Sequence, residues 1–195
     1  MTDRSKKPIL ANISNRHLHV SEQDLQVLFG AGAKLTNIRD LVQPGQFACK
    51  ETVTISTPKN KIDNVRIIGP VRKQTQVEIS RTDSFPLGIN PPVRESGKLE
   101  SSAPITITGP KGKVDLKEGC VIAKRHVHMT PADAEALGIK DSEVVQIKAG
   151  IGTGRETIFC DVVCRVKSDF AAECHLDTDE ANSCGLKNGD KIIIL

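Results

Sequence analysis

Apolar positions in this chain come in short groups, and few of them keep a helical period. Runs of β character lie at residues 52–56, 65–68, 76–80, 105–108, 121–123, 144–147, 157–163 and 191–195. Gly69-Pro70 and Gly109-Pro110 end two of them in the same way. Within 76–80, alternation puts Val77 and Ile79 on one face and Gln76, Glu78 and Ser80 on the other. Helical signals are brief. Ser21-Glu22-Gln23-Asp24 caps a helix reaching about Phe29 and ending at Gly30. Thr130-Pro131-Ala132-Asp133 opens a second, which runs to about Leu137 and stops at Gly138. Thr178 is read as the cap of a third, closed by Gly185. Residues 83–102, rich in Pro, Gly and Ser and carrying Arg94 and Lys98, read as a linker or a loop beside a site. Many short strands and few helices favour a barrel or sandwich architecture over a doubly wound sheet.

The helical signals share an unusual neighbour. Arg16-His17-Leu18-His19-Val20-Ser21 recurs as Arg125-His126-Val127-His128-Met129-Thr130, and these strings hold four of the five histidines. The fifth, His175, precedes the third helix. In a strand, residues i and i+2 share a face, so each His-x-His pair aims two imidazoles at one place. One such pair alone reads as a hydrogen-bonded polar pair; its repetition with the same flanks favours metal sites. The repeat predicts two related halves, residues 1–100 with His17, His19 and Glu78, and residues 101–195 with His126, His128 and His175.

Composition narrows the function classes. Among 195 residues the net charge is +3, with no Trp or Tyr and five Phe, which gives no support to a nucleic-acid partner or a base-stacking platform. No run of about 18 apolar residues is present, so no transmembrane helix and no membrane partner is expected, and the N-terminus lacks a secretory signal. The chain reads as cytoplasmic. Its six cysteines lack Cys-x-x-Cys spacing and read as reduced, mostly buried thiols.

The two His pairs, His175 and Glu78 make six candidate ligands, which divides into two sets of three. Three protein ligands with an open position is the arrangement of a catalytic zinc, whereas structural sites are closed by four. Arg72 and Arg81 flank the strand of Glu78, and either could hold a phosphate or carboxylate by its planar fork. A half-exposed strand with solvated charges is the other reading of that segment.

Three segments carry a specific resemblance: Ser14-Asn15-Arg16-His17-Leu18-His19, Gly69-Pro70-x-Arg72-x-x-Thr75-Gln76-Val77-Glu78, and Ala123-Lys124-Arg125-His126-Val127-His128-Met129. Together they resemble the propanediol-utilisation-type phosphotransacylases, also called phosphate propanoyltransferases, over about residues 10 to 195. The resemblance implies a mainly β fold of two related small β-barrel domains, interlocked and capped by short helices, with two zinc ions in one active site. It implies an acyltransferase that converts acyl-CoA and phosphate into acyl phosphate and coenzyme A, for propanoyl-CoA or acetyl-CoA. By matching position, His17, His19 and Glu78 look like ligands of one zinc, and His126, His128 and His175 of the other. Arg72 looks like the phosphate-binding, catalytic arginine, and Ser14, Asn15, Lys59, Arg66 and Asn182 fall where coenzyme A is contacted. Other divalent transition metals suit the same donors. Direct transfer in a ternary complex is expected, ahead of a covalent acyl carrier at Cys174. Some relatives work inside bacterial microcompartments and carry an N-terminal amphipathic helix; about ten polar residues precede the matched region here, and shell or cargo association and homo-oligomerisation are left open. Two other readings stay open at this point, a binuclear metal hydrolase and a non-catalytic double-psi-barrel-like metal-binding module.

Overall fold

The computed structural model describes residues 4–195. A short 3-10 turn at Arg4–Lys6 precedes β1 (Ile9–Ser14), β2 (His17–His19), β3 (Asn37–Asp40), β4 (Phe47–Ser56), β5 (Lys61–Gly69), β6 (Gln76–Glu78) and β7 (Val93–Arg94). Then follow β8 (Ala103–Thr108), β9 (Lys113–Ala123), β10 (His126–Met129), β11 (Val144–Ala149), β12 (Thr157–Val166), β13 (Glu173–Asp177) and β14 (Lys191–Ile194). Four helices interrupt them: α1 (Glu22–Phe29), α2 (Arg81–Leu87), α3 (Pro131–Leu137) and α4 (Thr178–Cys184). Among the described residues, no helix is long and apolar enough to cross a membrane.

Two compact units emerge. The first comprises Asn15–Leu41 and Gly45–Ala123, and the second the residues up to Ser14, Val42–Pro44 and Lys124–Leu195. The chain therefore changes unit directly before each His-x-His string, and Glu100 lies inside the first unit. In the first unit β4, β5, β2, β6, β9 and β8 pair in turn, and β8 returns to β4 to close the ring. In the second, β1, β13, β10, β12, β11 and β14 close the same kind of ring. Both rings run through the same order of parallel and antiparallel pairings, with β2 matching β10, β6 matching β13 and β9 matching β1. The expected mainly β fold of two related barrels with short capping helices is thus what the chain forms.

Alternation builds each core. In β8, Ala103, Ile105 and Ile107 point inward while Thr106 and Thr108 face out, and in β11 Val145, Ile147 and Ala149 do the same. The first core gathers Leu18, Val53, Ile55, Ile67 and Val77 with Leu25, Leu28 and Leu87 from α1 and α2; the second gathers Val127, Met129, Ile147, Leu176 and Ile192 with Leu137 and Cys184 from α3 and α4.

All four helices follow a site strand at once. Helices α1 and α3 form behind their expected caps, Ser21 and Thr130, whereas α4 starts one residue earlier than expected, because Asp177, not Thr178, caps it: its side chain accepts from the Glu180 amide at 2.8 Å. Helix α2 runs from Arg81 into the start of the 83–102 stretch that reads as a linker or loop. That helix is announced by Ser80 and Asp83, a reciprocal capping box in which each side chain accepts the other's backbone N–H at 3.2 Å. Gly88 closes it in the left-handed region, at φ 66°.

The box makes a clear demand on stability. Ser80→Ala removes the acceptor of a buried N–H and should cost about 1–2 kcal/mol, read as a lower midpoint in denaturant unfolding with an unchanged slope.

Two candidate metal centres

In the first unit, β2 and β6 are antiparallel in a register that sets His17 opposite Glu78 and His19 opposite Gln76. His17, His19 and Glu78 each present a donor atom within 4.8 Å of the others. The two rings stand edge to face with centroids 5.0 Å apart, and Glu78 Oε2 lies 3.6 Å from His17 Nε2. His17 Nδ1 donates to the Asn15 carbonyl at 2.8 Å, and His19 Nδ1 to the Ile68 carbonyl at 3.0 Å. A carbonyl can only accept, so each Nδ1 carries the proton and each Nε2 keeps its lone pair for a ligand role.

The second unit repeats this plan. β10 and β13 set His126 opposite His175, and His126, His128 and His175 bring their donor atoms within 4.8 Å. His126 Nδ1 donates to the Lys124 carbonyl at 2.8 Å, two residues back like its counterpart His17. Two ring nitrogens here, His128 Nδ1 and His175 Nε2, are buried without a hydrogen-bond partner. Glu173 Oε2 approaches His175 Nε2 to 2.8 Å, but outside hydrogen-bonding geometry. Leaving buried polar nitrogens unsatisfied costs on the order of 1–3 kcal/mol each, and a metal ion in this cluster would remove that cost. Three imidazoles, or two and a carboxylate, fit zinc and its neighbours in charge and softness.

Side chains behind the ligands were only partly read from sequence. Ser96 Oγ accepts from Arg72 Nη1 at 3.0 Å and from Gln76 Nε2 at 2.9 Å, and donates to Glu78 Oε1 at 3.1 Å. One hydroxyl thus joins the predicted anion-binding arginine to a predicted metal ligand. Gln76 itself donates to Glu78 Oε1 at 2.5 Å and is held by the Gly97 amide at 2.7 Å. In the second unit Glu173 is buried, and accepts from Asn12 Nδ2 and Gln43 Nε2, each at 2.6 Å. Burial pushes the Glu173 carboxyl up, yet the contact with His175 and the bonds from Asn12 and Gln43 outweigh it and hold it low. The signal for Gln76 and Glu173 was present: Gln76-x-Glu78 and Glu173-x-His175 repeat the i, i+2 spacing of the histidine pairs.

The remaining predicted residues are placed as follows. Arg66 is the cross-strand partner of His17, and its Nη1 donates to the Cys49 carbonyl at 2.5 Å. Asn15 lies between β1 and β2 and accepts the His17 imidazole bond. Lys59 sits in the β4–β5 turn with its side chain over Gly88. In the second unit Ser14 pairs with Asp177, and Asn182 lies in α4, where its carbonyl accepts from Gly185. Arg81, the other flanking arginine, donates to Asn90 and the Pro91 carbonyl rather than toward Glu78. Cys174 is fully buried, and its thiol is pushed far up, chiefly by burial, which disfavours the thiolate.

Burial lowers His19 to about 3, helped by His17 and Arg72, and lowers His128 to about 2, helped by His126, His175, Arg165 and Lys167. Both imidazoles are therefore neutral, as ligands must be, at any ordinary pH. In metal-stripped protein the sign follows from linkage. The unfolded chain protonates these groups near 6.5 and the folded chain only near 3 and 2. Their contribution is complete above that upper value and is lost as pH falls below it. The unfolding free energy of stripped protein should decline from pH 7 to pH 5, and His19→Gln or His128→Gln should each flatten that decline by up to about 1.4 kcal/mol per pH unit.

Comparison with known proteins meets this geometry. The family model described as phosphate propanoyltransferase matches residues 10–187. The phosphate propanoyltransferase of Thermotoga maritima is 54% identical over 192 residues, covering 98% of this chain and 91% of the relative. That of Listeria monocytogenes is 52% identical over 176 residues, covering 90% and 82%. That of Lachnoclostridium phytofermentans is 50% identical over 184 residues, covering 94% and 85%. With a match running through both histidine strings, Glu78 and His175, the chain belongs to the phosphate propanoyltransferase family, an acyltransferase family.

Proposed function

We propose that this protein transfers an acyl group between coenzyme A and phosphate, converting acyl-CoA and phosphate reversibly into acyl phosphate and coenzyme A, with propanoyl-CoA or acetyl-CoA as donor. The observation that carries the reading is the pair of three-donor clusters, one with an arginine tied through Ser96 to its carboxylate, in a chain of this family. His17, His19 and Glu78 would hold one zinc ion and His126, His128 and His175 a second. Bound there, the ions would supply positive charge to draw phosphate oxygens and to offset charge developing on the thioester carbonyl oxygen.

The chain's own groups do the rest. Arg72 offers a planar fork of N–H donors that can grip two phosphate oxygens, replace their water and leave a third oxygen aimed at the carbonyl carbon. In that step a C–O bond to phosphate forms, the C–S bond breaks, and its electron pair leaves on the coenzyme A thiolate. Ser96 ties the guanidinium to Glu78, a link that would limit the directions from which the arginine can meet phosphate. Thiolate is a good leaving group and needs little acid help. Direct transfer in a ternary complex is the route we propose, and the burial of Cys174 and its raised thiol support it over a covalent acyl carrier. Ser14, Asn15, Lys59, Arg66 and Asn182 are proposed to contact coenzyme A.

The test is coenzyme A release from propanoyl-CoA and acetyl-CoA, with and without phosphate, on protein whose metal content is counted. Release should require phosphate, yield acyl phosphate and accompany about two metal ions per chain. Phosphate-independent release would replace this reading with a hydrolase, and inert, fully metallated protein would favour a binding module. Arg72→Gln should lower kcat/KM for phosphate by about 10²–10³. Ser96→Ala should lower it by about 10–100-fold, with metal content retained.

A further inference from the structure

We infer that Arg16 and Arg125 are positioning residues that hold the two donor-bearing strands of each cluster in place and so set its metal affinity, an inference that rests on the metal reading above. Each arginine directly precedes the first histidine of a His-x-His string. Each reaches a carboxylate five residues beyond the third donor, at the third position of the helix that follows it. Arg16 Nε and Nη2 bind Asp83 Oδ1 at 2.9 and 2.7 Å, while Asp83 Oδ2 accepts the Ser80 amide at 3.2 Å. Arg125 Nε binds Glu180 Oε1 at 2.7 Å, while Glu180 Oε2 accepts the Asp177 amide at 2.9 Å.

Helix capping alone does not demand this arrangement. All four helices carry an acid at their third position, but Asp24 of α1 is met by Thr75 and Asp133 of α3 by Lys7. Only the helices after Glu78 and His175 are tied to the arginine ahead of the opposing histidines. The tie has a mechanical reason. β2 and β6 are three residues each, so their pairing alone is a weak hold on donors that must converge within 4.8 Å. The second unit uses Glu where the first uses Asp, yet the same crossing is made. Arg125 is itself fixed by the Cys160 carbonyl at 3.0 Å and by the Phe159 ring, 5.2 Å from its guanidinium carbon.

The experiment titrates cobalt(II) into metal-stripped full-length protein against a chelator, following the visible absorption of the bound ion, for wild type, Arg16→Gln, Arg125→Gln and the double variant. Positioning predicts that each single variant weakens one of two equivalents by about 10–100-fold and shifts its absorption, and that the double variant weakens both. A purely electrostatic role predicts the opposite sign, because removing a cation and leaving Asp83 or Glu180 should tighten a dication. Asp83→Glu, which installs the acid the other unit uses, should retain affinity; it and Arg16→Lys serve if the glutamine variants do not fold. Two wild-type equivalents with unchanged or tighter binding in the arginine variants would overturn this inference alone. Wild type that takes up no metal would overturn the metal reading and this inference with it.

Discussion

Imidazole and carboxylate donors converge here only because two very short strands pair in one register, His17 against Glu78 in one unit and His126 against His175 in the other. A slip of one residue would turn every side chain of the strand to the opposite face, burying His19 where Leu18 belongs and pointing Leu18 into the cluster. The apolar residues between the donors resist this: Leu18, Val77, Val127 and Cys174 are wholly buried in the cores. The same three-residue motif therefore serves two ends, its middle residue anchoring the barrel and its outer residues facing the site. Core packing and site geometry are one constraint, which is why the helices, caps and backing hydrogen bonds all gather at these strands.

That dual use made part of the molecule readable in advance. His-x-His repeated with the same flanks exposed the site, and the cap–helix–glycine pattern exposed α1, α3 and α4. The outer half of β9 was less visible: Val114 and Leu116 alternate with Lys113, Asp115 and Lys117 and are only half-buried, and the strand is fully buried only from Gly119 to Ile122, so its continuous apolar signal was confined to its end. Helix α2 was hidden by its proline and serine content, although Ser80 and Asp83 spelled out a capping box. Gln43 could not have been found at all. It lies in a three-residue segment that joins the second unit from the middle of the first unit's sequence, and nothing local marks its hydrogen bonds to Glu173 and Ala171.

The clusters share a plan but not a charge, and the difference bears on their chemistry. With a dication bound, two imidazoles and a carboxylate leave a net charge of one, whereas three imidazoles leave two. Low local dielectric magnifies that gap. The carboxylate cluster compensates with Arg72, joined to Glu78 through Ser96, so its positive charge sits on a group that can also read the shape of an oxyanion. The imidazole cluster keeps its carboxylate, Glu173, outside the three-donor set, in charge contact with His175 and held by Asn12 and Gln43. Each unit thus holds one buried acid near its donors, but in one it belongs to the ligand set and in the other it stands outside it. The duplicated barrel builds two three-donor clusters of unequal charge from a single motif, with Glu78 in one unit at the place His175 takes in the other.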